Sequence, residues 1–244
     1  MTPEFSLQTD ASLPQLAASS ELKSESFASS ISRSEIILSQ ESFKNIDIST
    51  LNNFQLVLIE RDSFILDKIL ARTTQLNLGK SKSANIRIDN PESDLKKLMT
   101  HFRFETPLAF EILLKELSLQ AEIFGRIKSL DKTRVSIDFV LPIKNAPKNP
   151  LEGFHVDATP SRGLCTLVGP GTEWARESSL KDDLRNCESI SERAKVIDKM
   201  NWLTPGSQIQ KIPTGAIAIT KANEWVHRRP WVNEGRLFVT MDPS

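Results

Sequence analysis

From Thr133 onward the chain is a series of short apolar segments cut apart by turns rich in Gly and Pro, and this order limits the fold more than any other feature. Thr133 to Leu141 places Val135, Ile137, Phe139 and Leu141 at every second position, the period of a half-buried strand. Gly163 to Val168 reads as the next strand, closed by Gly169-Pro170-Gly171. Pro213-Thr214-Gly215 is a turn before the strand Ala216 to Thr220. Trp225 to Arg228 and Arg236 to Met241 are two more strands, separated by a segment with Pro and Gly. Helical patterns lie upstream of this run. Phe54 to Ile59 reads as a buried strand, and Asp62 to Arg72 as a helix capped by Asp62. Ser93 to His101 is a short helix. Thr106-Pro107 opens a helix that is apolar nearly all round and runs to Phe124, with Gly125 suited to its end. Helices first, then strands joined by tight turns, predict an α+β chain built as a β-barrel or jelly roll with helices packed outside.

The first 45 residues differ in kind. They are rich in Ser and poor in large apolar groups, so ordering them returns little burial. They are expected to form a flexible extension, residues 1–45, ahead of a single domain over 46–244, although Ser34 to Leu38 is apolar enough to dock on that domain. The stretch from 176 to 200 is polar and reads as a solvated helical insertion. Lys plus Arg and Asp plus Glu both number 31, which leaves no basic excess for nucleic acid. No apolar run has membrane length, the start does not read as a secretory signal, and two cysteines make no disulfide framework. The expectation is a cytoplasmic protein acting on a small molecule, with neither nucleic acid nor membrane as partner.

Within the predicted strands, His155 and Asp157 stand two apart in Gly153-Phe154-His155-Val156-Asp157. On a strand they share a face. His227 borders a distant strand, and Arg236 follows it. Two imidazoles and one carboxylate suit a divalent metal and leave positions open on its far side. The plainer alternative is a structural His-Asp pair, with His227 exposed beside the basic Arg228-Arg229 pair. The chain has three histidines, and His101, at a helix end, reads as structural. Cys165 is either a nucleophile paired with His155 or a small buried residue. Gly169-Pro170-Gly171 lacks the order of a phosphate loop and reads as a turn. Trp174, Trp225 and Trp231 flank the site in sequence as pocket walls or as core. Arg162 faces either the cavity or the surface.

Gly153 to Asp157, the string Leu164-Cys165-Thr166-Leu167-Val168-Gly169-Pro170-Gly171-Thr172-Glu173-Trp174, and Val226-His227-Arg228 resemble an uncharacterised bacterial family, domain of unknown function 1826, over roughly residues 46 to 244. Gly153 stands where a Cys is common in that family. At the site, the His-x-Asp pair, distant His and trailing Arg resemble the iron- and 2-oxoglutarate-dependent oxygenases. That resemblance implies a double-stranded β-helix (jelly-roll, cupin-like) barrel. It implies His155, Asp157 and His227 as Fe(II) ligands, and Arg236 as the anchor for the far carboxylate of 2-oxoglutarate. Arg162, Trp174 and Trp225 are then candidates for the substrate pocket. The rival is a non-redox zinc protein for metal handling or hydrolysis that uses the same three ligands, with or without Cys165 as a fourth. A third reading is an inactive barrel serving as a binding module.

Overall fold

The computed structural model describes residues 35–61, 81–102, 104, 106–140, 148–231 and 235–244. Most of the expected extension, residues 1–34, and the helix expected over 62–72 lie outside them. The described strands form two open sheets within a mixed α+β arrangement. Strands β1 (Glu35–Ser39), β2 (Leu56–Glu60), β8 (Ile217–Thr220), β5 (Arg162–Val168), β10 (Arg236–Pro243), β4 (Lys132–Val140) and β3 (Ser81–Arg87) lie side by side in that order. A small sheet runs β7 (Gln210–Lys211), β6 (Glu173–Trp174), β9 (His227–Arg228). Neither sheet closes on itself among the described residues.

β10 is the long central strand, antiparallel to β4 over its whole length and to β5 from Leu237 to Met241. Its alternation sorts side chains between two environments. Leu237, Val239 and Met241 join Cys165 and Leu167 of β5 in the main core. That core is covered by α4 (Pro107–Lys128), whose Leu113, Leu117, Ala121 and Phe124 are buried there, and by α3 (Pro91–Met99). Arg236, Phe238 and Thr240 face the opposite side, with Arg162 and Leu164. β2 is buried on both faces: Val57 and Ile59 enter the main core, while Leu56 and Leu58 join Trp174, Ile212 and Trp225 in a second cluster. This second cluster contains residues of both sheets.

The start of α4 follows the sequence reading. Thr106 caps it by accepting from the Ala109 N–H at 3.1 Å, and Pro107 fills the first turn. Its end does not. The helix continues through Gly125 to Lys128 and stops at Ser129, which adopts φ 53°. Gly125 is needed for another reason: a Cβ there would sit 2.6 Å from Ile88 Cγ1, so the glycine lets the helix approach the chain after β3. β3 itself gives no apolar signal because it is an edge strand with mostly exposed side chains. The stretch expected to dock does so: Glu35–Ser39 pairs in parallel with β2, and α1 (Gln40–Lys44) and α2 (Ile48–Leu51) follow. Glu35–Ser39 thus form an edge strand of the larger sheet, and Gln40–Lys44 a short helix with no buried residue. No helix of the described residues is long and apolar enough to cross a membrane.

The segment after β6 corrects a second expectation. Residues 176–200 hold a short 3-10 turn, α5 (Asp182–Arg185) and α6 (Ile190–Asp198). They are not merely solvated. Leu180, Leu184 and Ile197 join Trp202 in a third apolar cluster that also contains Phe154 and Val226. Those last two residues are the immediate neighbours of His155 and His227.

Candidate metal centre

Phe154 and Val226 explain how the two histidines are aimed. Each is buried in the third cluster, so the next residue along an extended chain turns the other way. The segment carrying His155 is not a continuous strand. It is held by an isolated antiparallel bridge in which His155 and His227 exchange both backbone hydrogen bonds, at 2.9 and 3.0 Å. Two residues on, the Asp157 N–H donates to the Ala222 carbonyl at 2.9 Å. Arg228 anchors the approach to this segment. It pairs with Glu173 at 2.7 Å, donates to the Pro150 and Glu152 carbonyls at 2.7 and 2.9 Å, and lies over the Phe154 ring.

The bridge brings His155, Asp157 and His227 together, with one donor atom from each lying within 4.8 Å of the others. Both imidazoles make a backbone contact through Nδ1: His155 with Gly153 O at 3.1 Å, and His227 with Trp225 O at 3.0 Å. Their Nε2 atoms point toward Asp157, at 3.8 Å from Oδ1 for His155 and 3.4 Å from Oδ2 for His227. Asp157 Oδ2 is buried and accepts no hydrogen bond. Trp225 stacks flat on His227, with centroids 4.4 Å apart and planes at 16°. Burial pushes the His227 imidazole down to about 4 despite the Asp157 charge, so the ring is neutral near pH 7 and its Nε2 lone pair is available. His155 is half exposed and forms the open side of the group.

These three residues line one cavity of about 190 Å³ with Arg162, Arg229 and Arg236, whose apolar wall includes Val140, Leu164 and Phe238. Arg236 is 2% exposed. It donates from Nη2 to Thr166 Oγ1 at 2.6 Å and Thr172 Oγ1 at 3.2 Å, while its Nε has no partner. Among the described residues no carboxylate lies within ion-pair distance of it. Burial and the nearby Arg229 push its guanidinium down to about 10.

The remaining candidates separate by strand parity. Arg162 lines the cavity but is occupied, bound to Asp157 and Asp242. Trp174 and Trp225 do not line the cavity: both are buried behind it in the second cluster, 6.2 Å apart by centroid. Cys165 faces the main core, and desolvation there pushes its thiol up to about 12. It is neither a partner of His155 nor a fourth ligand, because its strand neighbours Leu164 and Thr166 hold the cavity side. His101 is exposed and lies outside the group. Gly169-Pro170-Gly171 is a turn: Gly169 has φ 83°, and a Cβ on Gly171 would collide with the Ile212 carbonyl. The sequence reading missed Thr166, Thr172, Glu173, Arg229 and Asp242. Thr166 and Asp242 carried a usable signal, since Thr166 shares the β5 face of Arg162 and Asp242 the β10 face of Arg236.

The chain matches the family model described as protein of unknown function (DUF1826) over residues 66–242, and it belongs to that family. No curated protein matches the sequence. Among solved structures it is similar to a dioxygenase for auxin oxidation from Arabidopsis thaliana in complex with 2-oxoglutarate, at 9% identity and TM-score 0.46, covering 84% of this chain and 91% of that one. A dioxygenase for auxin oxidation in rice is similar at 8% identity and TM-score 0.40, covering 84% and 81%. The Kdo hydroxylase KdoO, a non-heme Fe(II) α-ketoglutarate-dependent dioxygenase, in complex with α-ketoglutarate and Fe(III), is similar at 10% identity and TM-score 0.41, covering 85% and 87%.

Proposed function

We propose that this member of the DUF1826 family is an oxygenase dependent on Fe(II) and 2-oxoglutarate. One observation carries the reading: a buried guanidinium that has no carboxylate partner among the described residues shares a small cavity with three convergent metal-ligand atoms. The residues fit a ferrous ion. Two imidazoles and one carboxylate form an N, N, O set on one side of a site, and the unpartnered Asp157 Oδ2 is a lone-pair donor in need of a cation. The backbone contacts at each Nδ1 hold the rings with Nε2 toward that site.

When bound together, Fe(II) and 2-oxoglutarate supply the activation of dioxygen for oxidising a substrate, with the diacid decarboxylated to succinate. The chain's own part is to bind and orient. Arg236 takes the far carboxylate of the diacid, and Thr166 and Thr172 keep the guanidinium turned. Val140, Leu164 and Phe238 exclude water from the aliphatic middle. The substrate, a small molecule not named by this site, approaches from the exposed His155 side. A zinc site with Cys165 as fourth ligand is not favoured, since that thiol faces the other side of the sheet. With this function goes a jelly-roll reading in which the two sheets are opposite walls around the cavity, and a cytoplasmic setting for a chain whose two cysteines are free.

The test is anaerobic titration of Fe(II) protein with 2-oxoglutarate, followed by its visible charge-transfer band and by calorimetry. Arg236→Leu is expected to weaken 2-oxoglutarate by about 2–5 kcal/mol while leaving metal affinity intact. Wild-type protein that binds metal but gives no band and no heat would end the oxygenase reading.

A further inference from the structure

Arg162 entered as a candidate for touching substrate, but its donors are already distributed. Nη1 lies 3.0 Å from Asp157 Oδ1. Nε and Nη2 form a fork on Asp242, at 2.7 Å to Oδ1 and 3.1 Å to Oδ2. Asp242 lies on β10, one step beyond the Met241–Gly163 pair of the β10–β5 ladder, so the fork spans neighbouring strands. The other oxygen of Asp157, Oδ2, is the one left buried without a partner, 3.4 Å from His227 Nε2.

We propose that Arg162 is a positioning residue that divides the Asp157 carboxylate, holding Oδ1 so that Oδ2 alone is offered to the metal, with Asp242 offsetting the guanidinium charge. The inference rests on the metal reading above. Its logic is geometric and electrostatic. A carboxylate with both oxygens free can swing to chelate a metal through two atoms and take up one of the positions that cosubstrate and oxygen need. A planar guanidinium fixed at its other end prevents that swing. A bare cation beside a ligand carboxylate would also compete with the metal for it. The fork on Asp242 balances that cation, so the group of Asp157, Arg162 and Asp242 keeps one net negative charge for the metal.

The experiment is a double-mutant cycle on the full chain, read by Co(II) affinity in calorimetry and by the Co(II) visible absorption spectrum. Asp242→Asn leaves Arg162 with Asp157 as its one carboxylate partner, and is expected to weaken Co(II) binding about tenfold, within the usual coupling range of contacting charges. In an Arg162→Gln background the same Asp242→Asn change is expected to cost less than about threefold, because the cation it offsets is gone. Arg162→Gln alone is expected to change the shape and intensity of the Co(II) bands as Asp157 turns to two-oxygen ligation. An equal cost of Asp242→Asn in both backgrounds would make Asp242 a plain strand-end contact and overturn the proposal. An unchanged spectrum in Arg162→Gln would overturn it too. Should Arg162→Gln fail to fold, Arg162→Lys keeps the charge but cannot fork between two carboxylates. It is then expected to show the altered spectrum, and a wild-type spectrum would count against the proposal. Wild-type protein that binds no Co(II) or Fe(II) would remove the metal reading itself, whereas metal binding with an additive cycle removes only the role of Arg162.

Discussion

Arg61 and Arg236 are both buried cations, set on opposite faces of the same sheet. Arg61, just past β2, lies on the helix-covered side. It gives Nη1 and Nη2 to the two oxygens of Glu116 on α4 and donates to the Gly215 carbonyl, and Gln120 Nε2 supports the same carboxylate at 2.6 Å. Arg236, on the cavity side, has two threonine hydroxyls and an orphaned Nε. Burying a charge without a counterion costs several kcal/mol. Arg61 meets that cost inside the chain. Arg236 does not, among the described residues. A buried charge with its own partner speaks for structure, and one without a partner in a lined cavity speaks for a ligand.

Changes on the cavity face should be the most drastic for ligand binding and mild for folding. Asp157→Ala and His227→Ala are each expected to abolish stoichiometric divalent metal, since each removes one of three donors. His101→Ala should leave metal content at the wild-type level. Metal analysis after anaerobic loading checks this, and loss of metal in the His101 variant would break the assignment.

The helix-covered face should behave in the opposite way. Glu116→Ala leaves Arg61 buried and unpaired and is expected to cost about 3–5 kcal/mol of stability in chemical denaturation, with little effect on metal affinity. Arg236→Leu, which removes a cation that no described residue neutralises, is expected to leave stability unchanged or raise it. Equal destabilisation by the two would mean that Arg236 is a structural residue and would erase the distinction between the faces.

Cys165 gives the smallest and sharpest contrast. Its thiol is pushed up to about 12 by burial in the main core, and Leu164, next to it on β5, lines the cavity. Cys165→Ala is expected to lower stability by about 1 kcal/mol through lost packing and to leave Co(II) affinity unchanged. In the folded wild type, Cys187 should react with a thiol reagent well before Cys165. A cobalt spectrum that changes with Cys165→Ala would put sulfur in the site and revive the zinc reading.

Much of the frame was legible along the chain. The alternation in β4, the two-sided apolar character of β2, and the Thr106-Pro107 start of α4 are local signals, and each appears where its pattern stands. β3 escaped because an edge strand with exposed faces needs no apolar period. Gly125 was read as a helix end because a glycine's need to stay small depends on Ile88, which is distant in sequence. The 176–200 segment looked solvated because its few buried residues, Leu180, Leu184 and Ile197, are spaced among charges. Nothing local in the sequence records that Arg162 meets Asp157 and Asp242, or that Trp174 and Trp225 sit in the second cluster.

The sequence by itself determined which side chains share a face. Period two in β5 and β10 is a property of the extended backbone, so Cys165 and Leu167 part from Leu164 and Thr166, and Leu237 and Val239 part from Arg236 and Phe238, whatever the sheet packs against. It also supplied the residue types that make a metal set plausible. Only the tertiary structure decided what each of those side chains meets. The bridge between His155 and His227, the fork of Arg162 on Asp242, the Glu116 carboxylate under Arg61 and the threonine hydroxyls at Arg236 all join segments far apart in the chain. Whether a buried polar atom is satisfied depends on such long-range pairing, because local backbone geometry sets direction and leaves the partner to the fold.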